Sequence, residues 1–90
     1  MADPPPGPRL VAALQYRHER DGAPRVAATG RGAIAERILQ LAEKHDIPLH
    51  RDDALVQLLL QVPVGSEIPA EVYEVVAEIL AAIYRAEREA

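Results

Sequence analysis

The chain has no cysteine, and only three tyrosines make up its aromatic content over 90 residues. Without cysteine there is no disulfide framework, no thiol nucleophile and no thiolate metal site, which fits a reducing compartment. No apolar run approaches the roughly 18 residues needed to cross a bilayer. The N-terminus, Met1-Ala2-Asp3 followed by prolines, lacks the basic-then-apolar order of a signal peptide. Ser66 is the only serine, and no serine–histidine or paired-carboxylate signature of an enzyme surrounds it. Tyr16 is the one aromatic near the arginines, too few for a base-stacking platform. The expectation is a soluble cytoplasmic domain without catalytic chemistry or cofactor.

What is present is uneven. Residues 1–51 carry eight Arg/Lys and six Asp/Glu, a balance of +2, whereas residues 52–90 carry two and eight, a balance of −6. The acidic half argues against general nucleic-acid binding, which depends on neutralising phosphates. At this length one domain with a single modest core is expected. Pro4, Pro5, Pro6 and Pro8 around Gly7 cannot form a regular hydrogen-bonded ladder, so residues 1–9 are expected to be a disordered proline-rich tail.

The last stretch has the clearest pattern. Ser66 to Arg88 reads as one amphipathic helix, with Pro69 at its first position and Arg85 and Arg88 near its end. Val72, Val76, Ile79, Leu80 and Ile83 form its apolar stripe, widened by Tyr73 and Tyr84. Before it, Leu10 to Tyr16 and Arg25 to Ala28 read as two strands of an antiparallel hairpin, joined by a charged turn ending in Asp21-Gly22. Thr29-Gly30-Arg31-Gly32 is expected to break the second strand and open a helix with the stripe Ile34, Ile38, Leu41, Ala42, ending near His45-Asp46. Ile47-Pro48-Leu49-His50 reads as a third strand, reached by a right-handed parallel crossover. Asp52 or Asp53 caps a further helix with the stripe Leu55, Leu58, Leu59, Val62, which Pro63-Val64-Gly65 ends. The expected fold is α/β: a small mixed β-sheet of about three strands packed with three helices in a single domain.

Candidate chemistry is sparse. His45 and His50 are five residues apart, not the i, i+4 spacing of a helical zinc pair, and surface histidines beside an Asp52 or Asp53 cap are the simpler reading. Thr29-Gly30-Arg31-Gly32 lies at a helix N-terminus, where free amides can hold an anion, so a small regulatory anion- or RNA-binding domain using Arg25, Gly30, Arg31 and Gly32 is the alternative function. The segment lacks the glycine spacing and lysine of a phosphate-binding loop.

The residues themselves go further than composition. Val11-Ala12-Ala13-Leu14-Gln15-Tyr16, Ala23-Pro24-Arg25-Val26-Ala27-Ala28-Thr29-Gly30 and Glu67-Ile68-Pro69-Ala70-Glu71-Val72-Tyr73 continuing to Arg85 resemble the C-terminal cytoplasmic domain of the FlhB family of flagellar and type III export-gate proteins. Ile47-Pro48-Leu49 and Ala54-Leu55 fall between them at the family's spacing. The resemblance spans residues 10–86, so that residues 10–90 are expected to be an FlhB C-terminal-like cytoplasmic domain. It implies a module that docks export substrates of the rod and hook type, or cytoplasmic domains of the export gate, at the cytoplasmic face of the inner membrane. It places the partner-binding patch on Ala23, Pro24, Ala77 and Leu80, small apolar residues suited to a shallow docking site.

The departures matter equally. Where the family has the Asn-Pro-Thr-His motif of self-cleavage, this sequence has Pro6-Gly7-Pro8-Arg9, so the cyclising Asn is missing and no autocleavage is expected. The family's Asn-Pro-Pro at the middle helix start is Asp52-Asp53-Ala54 here. With no membrane-embedded part in the sequence, the expectation is a stand-alone FlhB-like protein that binds neither nucleic acid nor metal.

Overall fold

A computed structural model describes residues 9–17 and 22–89. Residues 1–8 of the expected tail and most of the charged turn, including His18, lie outside the described residues, whereas Arg9, expected at the end of the tail, is described and its carbonyl accepts a hydrogen bond from Gly32 N–H.

Among the described residues two strands form the sheet, β1 (Leu10–Gln15) and β2 (Arg25–Arg31), paired antiparallel from Leu10 opposite Arg31 to Gln15 opposite Arg25. A bulge falls where Ala13 and Leu14 meet Ala28 and Val26, leaving Ala27 as the extra residue. Helix α1 (Ala33–Lys44), helix α2 (Asp53–Leu59) and, after a 3₁₀ turn at Ala70–Val72, helix α3 (Tyr73–Glu89) complete the architecture. Three helices on a small sheet is the expected class. The boundaries and the third strand differ from expectation.

β2 does not break at Thr29. It runs to Arg31, because Gly30 keeps the ladder while making room for α1: a Cβ on Gly30 would lie 2.8 Å from Ile34 Cγ2. Gly32 then turns the chain at φ 56, and its N–H donates to the Arg9 carbonyl at 2.8 Å. α1 ends in a Schellman motif. Asp46 adopts φ 55, its N–H donates to the Glu43 carbonyl at 3.2 Å, and the Ile47 N–H donates to the Ala42 carbonyl at 2.8 Å.

The segment Ile47–His50 is not a strand, and no parallel crossover forms. Pro48 has no N–H to give a ladder, and Ile47 and Leu49 are largely exposed. The free side of β2 is instead met by a segment read from sequence as part of the last helix. Val26 N–H donates to the Ser66 carbonyl at 2.9 Å, Gly65 N–H to the Val26 carbonyl at 2.7 Å, and Ile68 N–H to the Pro24 carbonyl at 2.9 Å. Arg25 and Glu67 form a bridge in this short antiparallel match. The last helix therefore starts later than Ser66. Pro69 is extended, at φ −70 and ψ 153, and caps the 3₁₀ turn.

The core lies between the sheet, α2 and the start of α3. Val26, Leu55, Leu59, Ile68, Val72 and Val76 are its buried members, with Ala12, Leu14 and Val62 packed against it. Asp52 caps α2 as expected, its Oδ1 accepting from Leu55 N–H at 3.0 Å. On α1 the expected stripe is buried only in part: Ala42 is buried and Ile38 half-buried, whereas Ile34 is 63% and Leu41 43% exposed, and Ala35, outside the stripe, is buried. Where Gly30 lets the helix approach the strand this closely, the contact is made by the Ile34 and Ile38 side chains and the Ala35 backbone.

Candidate functional site

Burial on α3 fades along its length. Val72 and Val76 are enclosed, Ile79, Leu80 and Ile83 are half-buried, and Tyr73 and Tyr84 are exposed. At 100° per residue, Tyr73, Ala77, Leu80 and Tyr84 recur at i, i+4, i+7 and i+11. They form one stripe along a flank of the helix, next to its buried face. Ala77 is exposed, and Leu80 leans onto the core with one side and faces outward with the other.

Ala23 and Pro24 sit differently from the expectation of an exposed corner. Both are buried, Ala23 at 4% exposure within the cluster that holds Val72 and Val76. Pro24 is fixed by its carbonyl, which accepts from Ile68 N–H. An apolar pair ahead of β2 reads as surface in the sequence because nothing local shows residues 65–68 folding over it. Of the four patch residues, then, Ala77 is exposed and Leu80 half-buried on α3, while Ala23 and Pro24 are buried. The tyrosines that extend the stripe carried a sequence signal, their helical spacing with Ala77, but were assigned to the buried side.

The other flank of α3 is apolar too. A shallow cleft of about 440 Å³ is lined there by Val75, Ile79, Ala82 and Ile83 with His50 and Asp52. A second cleft, about 370 Å³, lies between the end of α2 and the 3₁₀ turn, with Leu58, Pro63, Glu67 and Glu71 among its walls. Neither includes Ala77 or Leu80.

The residues of the alternative anion site are not arranged as a cradle. Gly30 is buried against α1, the Gly32 amide is already bonded, and Arg25 Nη1 donates to the Gly65 carbonyl at 3.0 Å. Glu36 sits in the first turn of α1 and pairs with Arg9 at 3.1 Å, adding negative charge where an anion would bind. Among the described residues no three His, Asp or Glu side chains converge as metal ligands would.

The family model described as the FlhB HrpN YscU SpaS Family matches residues 8–83. The chain belongs to this family. YlqH of Bacillus subtilis strain 168, a protein described as uncharacterized, is 43% identical over 77 residues, covering 86% of this chain and 83% of YlqH. The flagellar biosynthetic protein FlhB of Aquifex aeolicus is 44% identical over 73 residues, covering 80% of this chain but 21% of FlhB. The chain thus spans about a fifth of the FlhB proteins it matches. The crystal structure of a mutated EscU C-terminal domain superposes with a TM-score of 0.79 at 30% identity, over 83% of this chain and 92% of that one. The PscU C-terminal domain does so with a TM-score of 0.78 at 28% identity, over 88% and 99%. The FlhB family is one of flagellar biosynthesis and type III protein export, and the fold described above is that of its C-terminal domain. Among the described residues no helix is long and apolar enough to cross a membrane.

Proposed function

We propose that this chain is a non-catalytic interaction module of the flagellar type III export apparatus. It docks rod- and hook-type export substrates, or cytoplasmic domains of the export gate, and stands in for part of the FlhB cytoplasmic domain. Its place is the cytoplasm, at the periphery of the inner-membrane gate. The observation that carries this reading is exposed Ala77 beside half-buried Leu80, which packs against the same buried cluster that holds Ala23, in a chain of this family.

The chemistry suits shallow docking. A small residue such as Ala77 lets a partner backbone approach α3, and Tyr73 and Tyr84 offer amphipathic rings on either side. The buried residues below hold the helix in place, so the surface is pre-organised and loses little entropy on binding. Self-cleavage is not part of this function, because Pro6-Gly7-Pro8-Arg9 supplies no side-chain amide to attack the backbone.

The test is an NMR titration of the labelled chain with peptides from rod and hook proteins. Amide shifts concentrated at Ala77 and Leu80, and relayed to Ala23, are expected. A fully folded spectrum that does not move with any of these peptides refutes substrate docking, and titration with gate cytoplasmic domains then decides between the two classes of partner.

A further inference from the structure

The two edges of the sheet are finished differently. Beyond β2, the segment Gly65–Ile68 takes up the outward groups of Pro24 and Val26. Beyond β1 no such segment is present among the described residues, since β1 pairs with β2 alone.

Which backbone groups are left on that edge follows from the register. Val26 turns its N–H and C=O away from β1, towards Gly65 and Ser66. Its partner Leu14 is therefore a non-hydrogen-bonded position and points its own N–H and C=O away from β2. Orientation repeats every second residue, so Ala12 and Leu10 do the same. The other end of the strand agrees: Arg9, of opposite parity, turns its carbonyl inward to Gly32 N–H. Leu10, Ala12 and Leu14 thus present three N–H and three C=O groups along an open edge, and among the described residues no backbone bond between elements ends on them.

Among the described residues this edge carries none of the usual protections. There is no charge or proline from Leu10 to Gln15, and the bulge is on β2. All five residues from Leu10 to Leu14 are half-buried, with Ala12 and Leu14 already packed on the core.

We infer that the outer edge of β1 recognises the same edge of a second copy of this chain, the two β1 strands pairing antiparallel about Ala12. In that register Ala12 faces Ala12 of the second copy and Leu10 faces Leu14 of the second copy. All three N–H groups on each strand then meet a carbonyl. A register shifted by two residues either way leaves one of the three facing a residue outside the strand. Apolar side chains meet apolar ones, and Arg9 falls opposite Gln15 of the second copy, so no like charges are opposed. The product is a four-stranded sheet, which relieves the marginal stability of a two-stranded one.

The test uses the full chain, whose lack of cysteine makes a single engineered thiol unambiguous. Sedimentation equilibrium should show the mass rising with concentration from 9.8 kDa towards twice that value. Under mild oxidation Ala12→Cys should form a disulfide-linked dimer, because facing residues have Cα atoms about 5.5 Å apart, within disulfide reach. Gln15→Cys should not, because the two positions are then separated by six residues, roughly 20 Å along antiparallel strands. An unsubstituted chain that stays at 9.8 kDa up to millimolar concentration overturns the inference, whatever the variants do. So do equal cross-linking rates at the two positions.

Discussion

Gly30 lies against the backbone of Ala35, so that a Cβ on Gly30 would stand 2.9 Å from the Ala35 amide nitrogen. The strand and the helix meet with no room for one methyl group, and backbone cannot move aside as a flexible side chain can. Gly30→Ala should destabilise the chain by about 1–3 kcal/mol through overpacking. Gly22→Ala, where nothing lies within 4 Å of the added carbon, should change stability by less than about 0.5 kcal/mol. Urea midpoints of the two variants check both statements.

Asp46 holds a left-handed conformation, at φ 55, to close the C-terminus of α1. Only glycine adopts this region without steric cost. Asp46→Gly should therefore raise stability by about 0.5 kcal/mol, read as an upward shift in the thermal midpoint. A lower midpoint would mean that the Asp side chain contributes more than its strain costs.

The Asp52 carboxylate satisfies one of the free amides at the start of α2. Replacing it with alanine should cost about 1 kcal/mol, while Asp52→Asn should restore most of that loss. Denaturant titration of the pair separates the hydrogen bond from the charge.

Ile68 and Ile34 have the same side chain and opposite surroundings, 2% against 63% exposed. Ile68→Ala should cost about 2–4 kcal/mol, and Ile34→Ala less than about 1 kcal/mol. Calorimetry on both variants tests whether the core runs through residues 65–68 and bypasses the apolar stripe of α1.

Ala77 is exposed, so Ala77→Asp should leave the fold within about 0.5 kcal/mol of the parent. If the stripe on α3 is the docking surface, the same substitution should remove the NMR shifts caused by export-substrate peptides. Unchanged shifts in the variant would place the peptide elsewhere on the molecule.

The elements legible in the sequence were those whose signals are local. The Asp52 cap, the end of α1 near His45, the hairpin and the apolar spacing of α3 all depend on residues within a turn or two of each other. The misplaced strand depends on distant ones. Ile47-Pro48-Leu49 has the apolar composition of a strand, but Pro48 cannot donate and the Schellman turn sends the chain away from the sheet. Gly65 to Ile68 pairs through main-chain atoms, and with Gly65, Ser66 and Glu67 ahead of Ile68 it has no apolar alternation for periodicity to register. The same blindness affected the candidate site. The spacing of Ala77 and Leu80 on one helix is local, whereas Pro24 is held by a segment some forty residues further along the sequence. Likewise the helical spacing of α1 does not show that Ala35 is buried while Ile34 and Leu41, which belong to the apolar stripe of the helix, are exposed.

The match between residues 24–26 and 65–68 also sets an order of events on the ribosome. A hairpin alone is marginal in water, and the bonds that complete this sheet span about forty residues of sequence. Residues 10–31 can therefore form their two strands early but cannot keep them until Ile68 has left the exit tunnel. Loops of that length are slow to close, so the domain should become resistant to proteases only near the end of its synthesis, in one step that joins both halves of the chain.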